Sequence, residues 1–402
     1  MHARLIVVLA LGTTQTLAWG STFYLPAILA VPMAETLEVG SGVVYAAFSV
    51  ALLLSGLLGP AVGRRIDRLG GRDVLVVSNV VFALGLALLA TAQGPTVLFA
   101  AWLVIGIGMA MGLYEAGFAT LAGLYGQAAR GPITGITLIA GFASTIGWPV
   151  TTWLDLAFGW RAACLVWAMV HLVVCLPLNR LLIPRPSRPV TATSAGATAA
   201  MPPPVRLPGE VQLMVTLAYV FAATWFVSTA LAAHLPRLLV ESGVTPATAL
   251  AAAMLVGPAQ VGARMVEFAF LQRFHPLTSA RLATLLHPLG AVALLLIGAP
   301  AAFAFTILHG AGNGILTIAK GTLPLTLFGP EGYGYRQGLI AAPSRIAQAA
   351  APFLMALAID GLGQGALFLS AALVLSACLA LFTLPRSTAA APATAASGSL
   401  KR

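Results

Sequence analysis

Charge is scarce in this chain. Of its 402 residues only 8% are Asp, Glu, Lys or Arg, and 11 of them are acidic. A water-exposed domain carries about a quarter charged residues, so there are too few here to cover a soluble globule. Cysteine is as sparse, with Cys164, Cys175 and Cys378 each inside an apolar run. An odd, scattered set gives neither a disulfide framework nor metal-ligand spacing, and reads as packing. His234, His287 and His309 fall in different apolar runs without HExxH-like spacing, so the sequence offers no metal site. No Ser/His/Asp or Cys/His set converges, which argues against an enzyme. The segment His309–Gly314 superficially resembles a glycine-rich phosphate loop. It lies within an apolar run and lacks the Lys-Ser/Thr ending, so it reads as close helix packing or local unwinding, and no nucleotide or other cofactor is expected.

What the chain has in abundance is apolar length: 59% hydrophobic residues and a mean hydropathy of +0.95. A membrane span needs about 20 mostly apolar residues. Twelve such runs are legible, at 5–32, 41–63, 74–92, 96–124, 132–153, 162–182, 211–234, 247–270, 282–299, 302–327, 338–360 and 364–384. The first is long for a signal peptide and equally apolar runs follow it, so it is read as a retained helix. The fold class is therefore an all-α integral membrane protein. Its net charge of +10 is scattered among the gaps rather than gathered on one face, which points to membrane topology and away from nucleic acid. With both termini inside, sixteen of the 21 Lys and Arg fall in cytoplasmic gaps and two, Arg161 and Arg237, in outer ones.

The one long gap, 183–210, is rich in Pro, Ala and Thr and reads as a cytoplasmic linker. It separates six spans at 1–182 from six at 211–385. The tail at 386–402 reads as disordered. Trp19 and Trp225 occupy matching depths in spans 1 and 7, an offset of about 206 that also fits the span starts. A competing offset of about 198 aligns Gly59-Pro60-Ala61 with Gly257-Pro258-Ala259.

Four arginines and an aspartate crowd the gap Gly63-Arg64-Arg65-Ile66-Asp67-Arg68-Leu69-Gly70-Gly71-Arg72. The pattern of Gly63, Asp67, Arg68, Gly70 and Arg72 resembles the loop between helices 2 and 3 of major facilitator superfamily transporters, with Asp73 at the family's final basic position. The resemblance implies two pseudo-symmetric six-helix bundles, with the substrate site between them near the midplane. It also implies a gating loop, in which Asp67 faces the N-terminus of span 11 near Gly338, where the helix dipole favours an anion. The bland alternative is that these charges only fix topology. The second-half counterpart is reduced to Gln272-Arg273-Phe274-His275.

Ionisable residues inside spans are costly and are functional candidates by default. Arg264 in span 8 lies eight residues before Gln272, about 12 Å deep at 1.5 Å per residue. Arg345 lies in span 11, Lys320 in span 10, and Glu115 well inside span 4. A basic residue in span 8 and another in span 11 is similar to the oxalate–formate antiporters, and the span 8 arginine resembles that of monocarboxylate transporters. Gln260 stands where the latter carry an acid one turn before the arginine. Tyr125, Arg130 and Gly135 loosely fit a monocarboxylate-transporter pattern, as does Ala18-Trp19-Gly20 without its preceding acid. These matches imply an organic anion, with Arg264, Arg345, Gln260, Trp19 and Trp225 as substrate-binding candidates. The alternative for Arg264 and Arg345 is a structural charge near the inner ends. Glu115 and Lys320 are candidates for proton coupling or for an ion pair that substrate must break. Glu267 is another partner open to Lys320, and Arg130 another open to Glu115.

The segment Gly141–Pro149 loosely resembles the antiporter motif of drug exporters, but its second glycine pair is absent, as is the span 4 arginine expected of proton-driven drug antiporters. The resulting expectation is a secondary transporter of a small organic anion, a mono- or dicarboxylate, working by alternating access with protons or exchange. It would act as a monomer in a bacterial inner membrane, binding a small-molecule substrate and the lipid bilayer. Efflux of a drug-like or neutral metabolite through a cavity lined by Trp19, Tyr24, Trp148 and Trp225 is the alternative. A transporter-like membrane sensor is a more distant one.

Overall fold

The computed structural model describes residues 2–185 and 209–385. The expected linker core and C-terminal tail, with Arg188, Arg206, Arg386, Lys401 and Arg402, lie outside the described residues. Among the described residues every regular element is helical. That follows from solvation, because in hydrocarbon each backbone polar group must find a partner within its own segment.

Ten continuous helical stretches are long and apolar enough to cross a bilayer. Two of them, Pro95–Phe158 of 64 residues and Tyr333–Phe382 of 50, would be about 96 and 75 Å long if straight. Each must turn back once, which is consistent with twelve passes. In the first half these are α1 (His2–Ser21) continuing into α2 (Pro26–Thr36), then α3 (Ser41–Leu69), α4 (Arg72–Ala90), and α5 (Pro95–Gly112) with α6 (Tyr114–Tyr125). They are followed by α7 (Arg130–Ile139) with α8 (Ala143–Phe158), and α9 (Trp160–Val170) with α10 (Leu176–Leu182). The second half holds α11 (Glu210–Glu241), α12 (Pro246–Ala253) with α13 (Val256–Ala269), α14 (Pro276–Ile297), α15 (Ala302–Phe328), α16 (Tyr333–Leu362) and α17 (Ala366–Phe382). Large apolar side chains such as Leu156 (83% exposed) and Leu296 (82%) remain on the outside, where lipid tails rather than water would solvate them.

Span 11 begins earlier than its apolar pattern suggests, at Tyr333 rather than 338. The extra turn is polar and is held from outside: the Asp67 carboxylate accepts the N–H groups of Gly334 and Tyr335, both at 2.8 Å, and Arg336 donates to Glu210 at 2.6 Å. The segment His309–Gly314 is continuous helix within α15. It is not unwound, and Gly314 lies against the Gln260 carbonyl of α13.

The two halves meet mainly at the end that carries Arg64–Arg72. There α3 crosses α16 so closely that a Cβ at Gly63 would collide with the Gly334 backbone. Farther in, Gly56 abuts Arg345 and the Ser49 hydroxyl donates to the Ala349 carbonyl at 3.1 Å. Helix α7 packs on α13 and α15, whereas α2, α8 and α12, at the opposite end, make no substantial contact across the halves among the described residues. The molecule is closed at its basic end.

The halves differ in their cores. One continuous apolar cluster fills the first half. In the second, two larger clusters occupy opposite ends, joined at Leu373. Between them run the buried polar residues Thr224, His287, His309, Lys320, Arg345, Gln348 and Ser370.

Candidate functional site

The site begins with a helix break. Leu113 is extended (φ −88°, ψ −170°) and ends α5, so that α6 starts at Tyr114. Glu115 thereby sits in the first turn of a helix deep in the bundle, where the dipole favours an anion. Two cations from the other half meet it. Lys320 Nζ on α15 lies 2.7 Å from Glu115 Oε1, and Arg345 Nη2 on α16 lies 3.0 Å from Oε2. The Lys320 and Arg345 side chains are 4% and 3% exposed and that of Glu115 is 14% exposed. Each cation also faces an indole: Lys320 Nζ is 5.0 Å from the Trp225 ring and Arg345 Cζ is 5.5 Å from that of Trp19. The pairings are of cation–π type. Trp19 and Trp225 thus stand on either side of one ionic bridge. Arg345 Nη1 approaches Gln348 Oε1 at 3.4 Å, and Gln348 in turn donates to Thr229 at 3.2 Å. The indole N–H of Trp19 is buried with no hydrogen-bond partner among the described residues.

Arg264, 5% exposed, spans the interface in a different way. It donates to the Thr137 carbonyl of α7 at 3.0 Å, to the Thr317 hydroxyl at 3.3 Å and to the Gly314 carbonyl at 3.4 Å. Tyr114, the residue before Glu115, lies close to the same guanidinium. Arg264 therefore lies beside the Glu115 bridge rather than at an inner end, and its partners are neutral. A Cβ at Gly141 would stand 2.5 Å from its Nη1, so that glycine leaves the room the guanidinium occupies. Gln260, half-buried, meets α15 through its backbone.

At the basic end Asp67 caps α16 as described, four residues before the expected Gly338. Arg64 stacks over Tyr335 at 4.8 Å. Gly70 takes φ +83° to end α3 and turn the chain toward α4, a backbone region that glycine enters without cost. Arg72 pairs with Asp73 at 3.4 Å, and Arg68 lies in the last turn of α3. Glu267 faces Arg130, at 3.9 Å, and is not the partner of Lys320. Arg130 also reaches the Phe274 carbonyl at 2.8 Å.

Several participants escape a reading by charge alone: Tyr114, Thr137, Thr317, Gln348 and the small Gly141. One signal for them was available. His309, Asn313, Thr317 and Lys320 recur at helical spacing and form a polar stripe along α15.

Comparison with known proteins follows from this architecture. Residues 11–307 match the family model of the Major Facilitator Superfamily. The chain belongs to that superfamily. The transporter shares its fold with solved structures of low sequence identity. The human organic anion transporter MFSD10 (TETRAN) is 18% identical, with a TM-score of 0.70 and 94% of this chain and 98% of that one covered. The FucP transporter in the outward conformation is 15% identical (TM-score 0.73; 95% and 99% covered). The proton:xylose symporter XylE bound to 6-bromo-6-deoxy-D-glucose is 13% identical (TM-score 0.68; 95% and 94% covered). None of the curated proteins matches the chain in sequence. The family and these neighbours are transporters, not enzymes.

Proposed function

We propose that this transporter carries a small organic dianion, a dicarboxylate, by alternating access. The observation that carries the reading is a charge imbalance. Three buried cations, Arg264, Lys320 and Arg345, lie in the central layer, where one carboxylate, Glu115, pairs with Lys320 and Arg345 and leaves Arg264 with neutral partners. Buried charges are ordinarily paired, so two positive charges in the central layer await a partner. A dicarboxylate supplies both, gripped bidentately by a guanidinium. It displaces Glu115 from Lys320 and Arg345, which unties the first half from the second. The unpartnered indole N–H of Trp19 adds a neutral donor beside Arg345. The organic-anion name of MFSD10, among structural neighbours, agrees with this class. Glu115, with both oxygens engaged, acts as the internal substitute for substrate.

The basic end is cytoplasmic on this reading, by the sixteen-to-two distribution of basic residues, with both termini inside a bacterial inner membrane and the protein acting as a monomer. Uptake of radiolabelled succinate into proteoliposomes tests the assignment. Lys320→Ala and Arg345→Ala should each abolish it, while circular dichroism shows intact helices. Normal uptake in both variants would overturn the site. The aromatic chain of Trp19, Tyr24 and Trp148 supports the alternative of a drug-like or neutral cargo. Binding of such a compound, undiminished in Arg345→Ala, would favour it.

A further inference from the structure

A second polar cluster lies within the second half, away from the ionic bridge. His287 of α14 and His309 of α15 face each other with their Nδ1 atoms 3.1 Å apart, and His287 Nε2 lies 3.2 Å from the hydroxyl of Ser370 on α17. Both rings are buried, 4% and 6% exposed. They border a cavity of about 20 Å³, also lined by Ser228 and Asn313, which is large enough for one water.

Donor accounting defines what the pair can do. Two nitrogens 3.1 Å apart share one hydrogen, so one ring donates and the other accepts. The Ser370 hydroxyl lies 2.9 Å from the Leu367 carbonyl. When it donates there it must accept from His287 Nε2–H, which leaves His287 Nδ1 as an acceptor. His309 Nδ1–H then donates to it. His309 Nε2, which has no protein partner among the described residues, becomes a free lone pair beside the cavity. A proton placed on that nitrogen breaks none of the existing hydrogen bonds. Reversing the chain, with Ser370 donating to His287, turns His309 Nε2–H into a donor on the same cavity.

The first half provides an internal control. There His171 contacts Ser21 Oγ at 2.8 Å through Nε2 and Asn79 Oδ1 at 3.0 Å through Nδ1. It comes from the spans that correspond, across the repeat, to those of Ser228, His287 and Ser370. With both nitrogens engaged it is a satisfied structural histidine. The second half keeps a lone pair and a cavity where the first has none.

We infer that the His287–His309 pair is a one-proton binding site of the second half, and that its proton is the one coupled to transport. The inference rests on the transporter reading above for the coupling, and on geometry alone for the site. Ionisable groups near the pair are few. Helix α11 presents neutral Thr224 and Ser228, and α12 and α17 carry no ionic residue. The nearest charge on α14 is Arg281, bonded to the Leu381 and Leu384 carbonyls. Lys320 on α15 is eleven residues away, about 16 Å along the helix. Arg264 of α13 and Arg345 of α16 belong to the central layer, and Glu267 of α13 faces Arg130. The stripe His309, Asn313, Thr317 and Lys320 links the pair to that layer, so a charge gained at one end is felt by the cations at the other.

The test uses the full chain in lipid nanodiscs, labelled with ¹⁵N-histidine. The pair is identifiable by its Nδ1-to-Nδ1 hydrogen bond, and imidazoles ordinarily titrate between about pH 5 and 8. We expect the ring nitrogens of the pair to move together through one protonation step between about pH 4 and 8 while those of His171 stay fixed. Ring signals of the pair that stay fixed over the same range would overturn the site. In proteoliposomes whose membrane potential is held at zero with valinomycin and potassium, so that the net negative charge of a dianion moving with one proton is compensated, a gradient of one pH unit sustains about a tenfold succinate ratio per coupled proton. His309→Gln should lose that ratio and keep succinate exchange. A ratio equal to that of the unmodified protein would overturn the coupling. If the unmodified protein moves no succinate, the dicarboxylate reading fails, and the ring titration alone decides the proton site.

Discussion

Replacing Glu115 by Gln isolates the competition on which the transport reading turns. The substitution keeps the shape of the side chain and removes its charge, leaving Lys320 and Arg345 facing a neutral amide at the distances now held by the carboxylate, 2.7 and 3.0 Å. Breaking a buried ion pair by removing one partner costs about 3–5 kcal/mol, because the remaining charge is left uncompensated. The closed arrangement should lose stability on that scale, which corresponds to roughly 150- to 5,000-fold in an equilibrium constant. The amide still offers a hydrogen-bond acceptor, so the lower part of the range is expected. An anion that pairs with both cations no longer competes with Glu115 and recovers most of the loss. Succinate should therefore bind Glu115→Gln at least about tenfold more tightly than the unmodified protein. Its turnover should fall, because the tie that recloses the empty carrier is gone. Quenching of tryptophan fluorescence reports binding, since Trp19 and Trp225 flank the cations, and thermal unfolding in detergent reports stability. Succinate affinity that is unchanged or weaker in the variant would refute the competition. So would a melting temperature equal to that of the unmodified protein.

Two further outcomes follow from the contacts around the bridge. Asp67→Asn weakens two charge-assisted hydrogen bonds to the first turn of α16, each worth about 1.5–3 kcal/mol. It should shift the protein toward opening at the basic end, measurable as faster alkylation of a cysteine placed at Ala119, a buried residue that faces Gly334 across the halves; equal rates would remove Asp67 from the latch. Gly141→Ala puts a methyl group on Arg264 and should displace its guanidinium from the Thr137 carbonyl. It should weaken succinate binding by about 1–3 kcal/mol, the usual range for overpacking a filled site, and unaltered binding would show that the guanidinium moves aside freely.

Much of the architecture is legible in the chain because its causes are one-dimensional. A bilayer selects apolar runs of fixed length, and the scarcity of charge elsewhere makes Gly63–Arg72 conspicuous. From such signals come the all-helical class, the superfamily and the short roster of buried charges. The boundaries of span 11 and the break at Leu113 were not legible, because Tyr333–Gln337 is polar and becomes helical only when Asp67 and Glu210 cap it from distant segments. Partnership was illegible for the same reason. Glu115 finds Lys320 and Arg345 at separations of 205 and 230 residues, and which of two acids a buried lysine meets depends on how two bundles close upon each other. Spacing also separated His287 from His309, which the bundle sets in contact. Solvation and chain length settled the helical elements. Charge compensation in a low-dielectric interface, which exists only after folding, decided which residues act together.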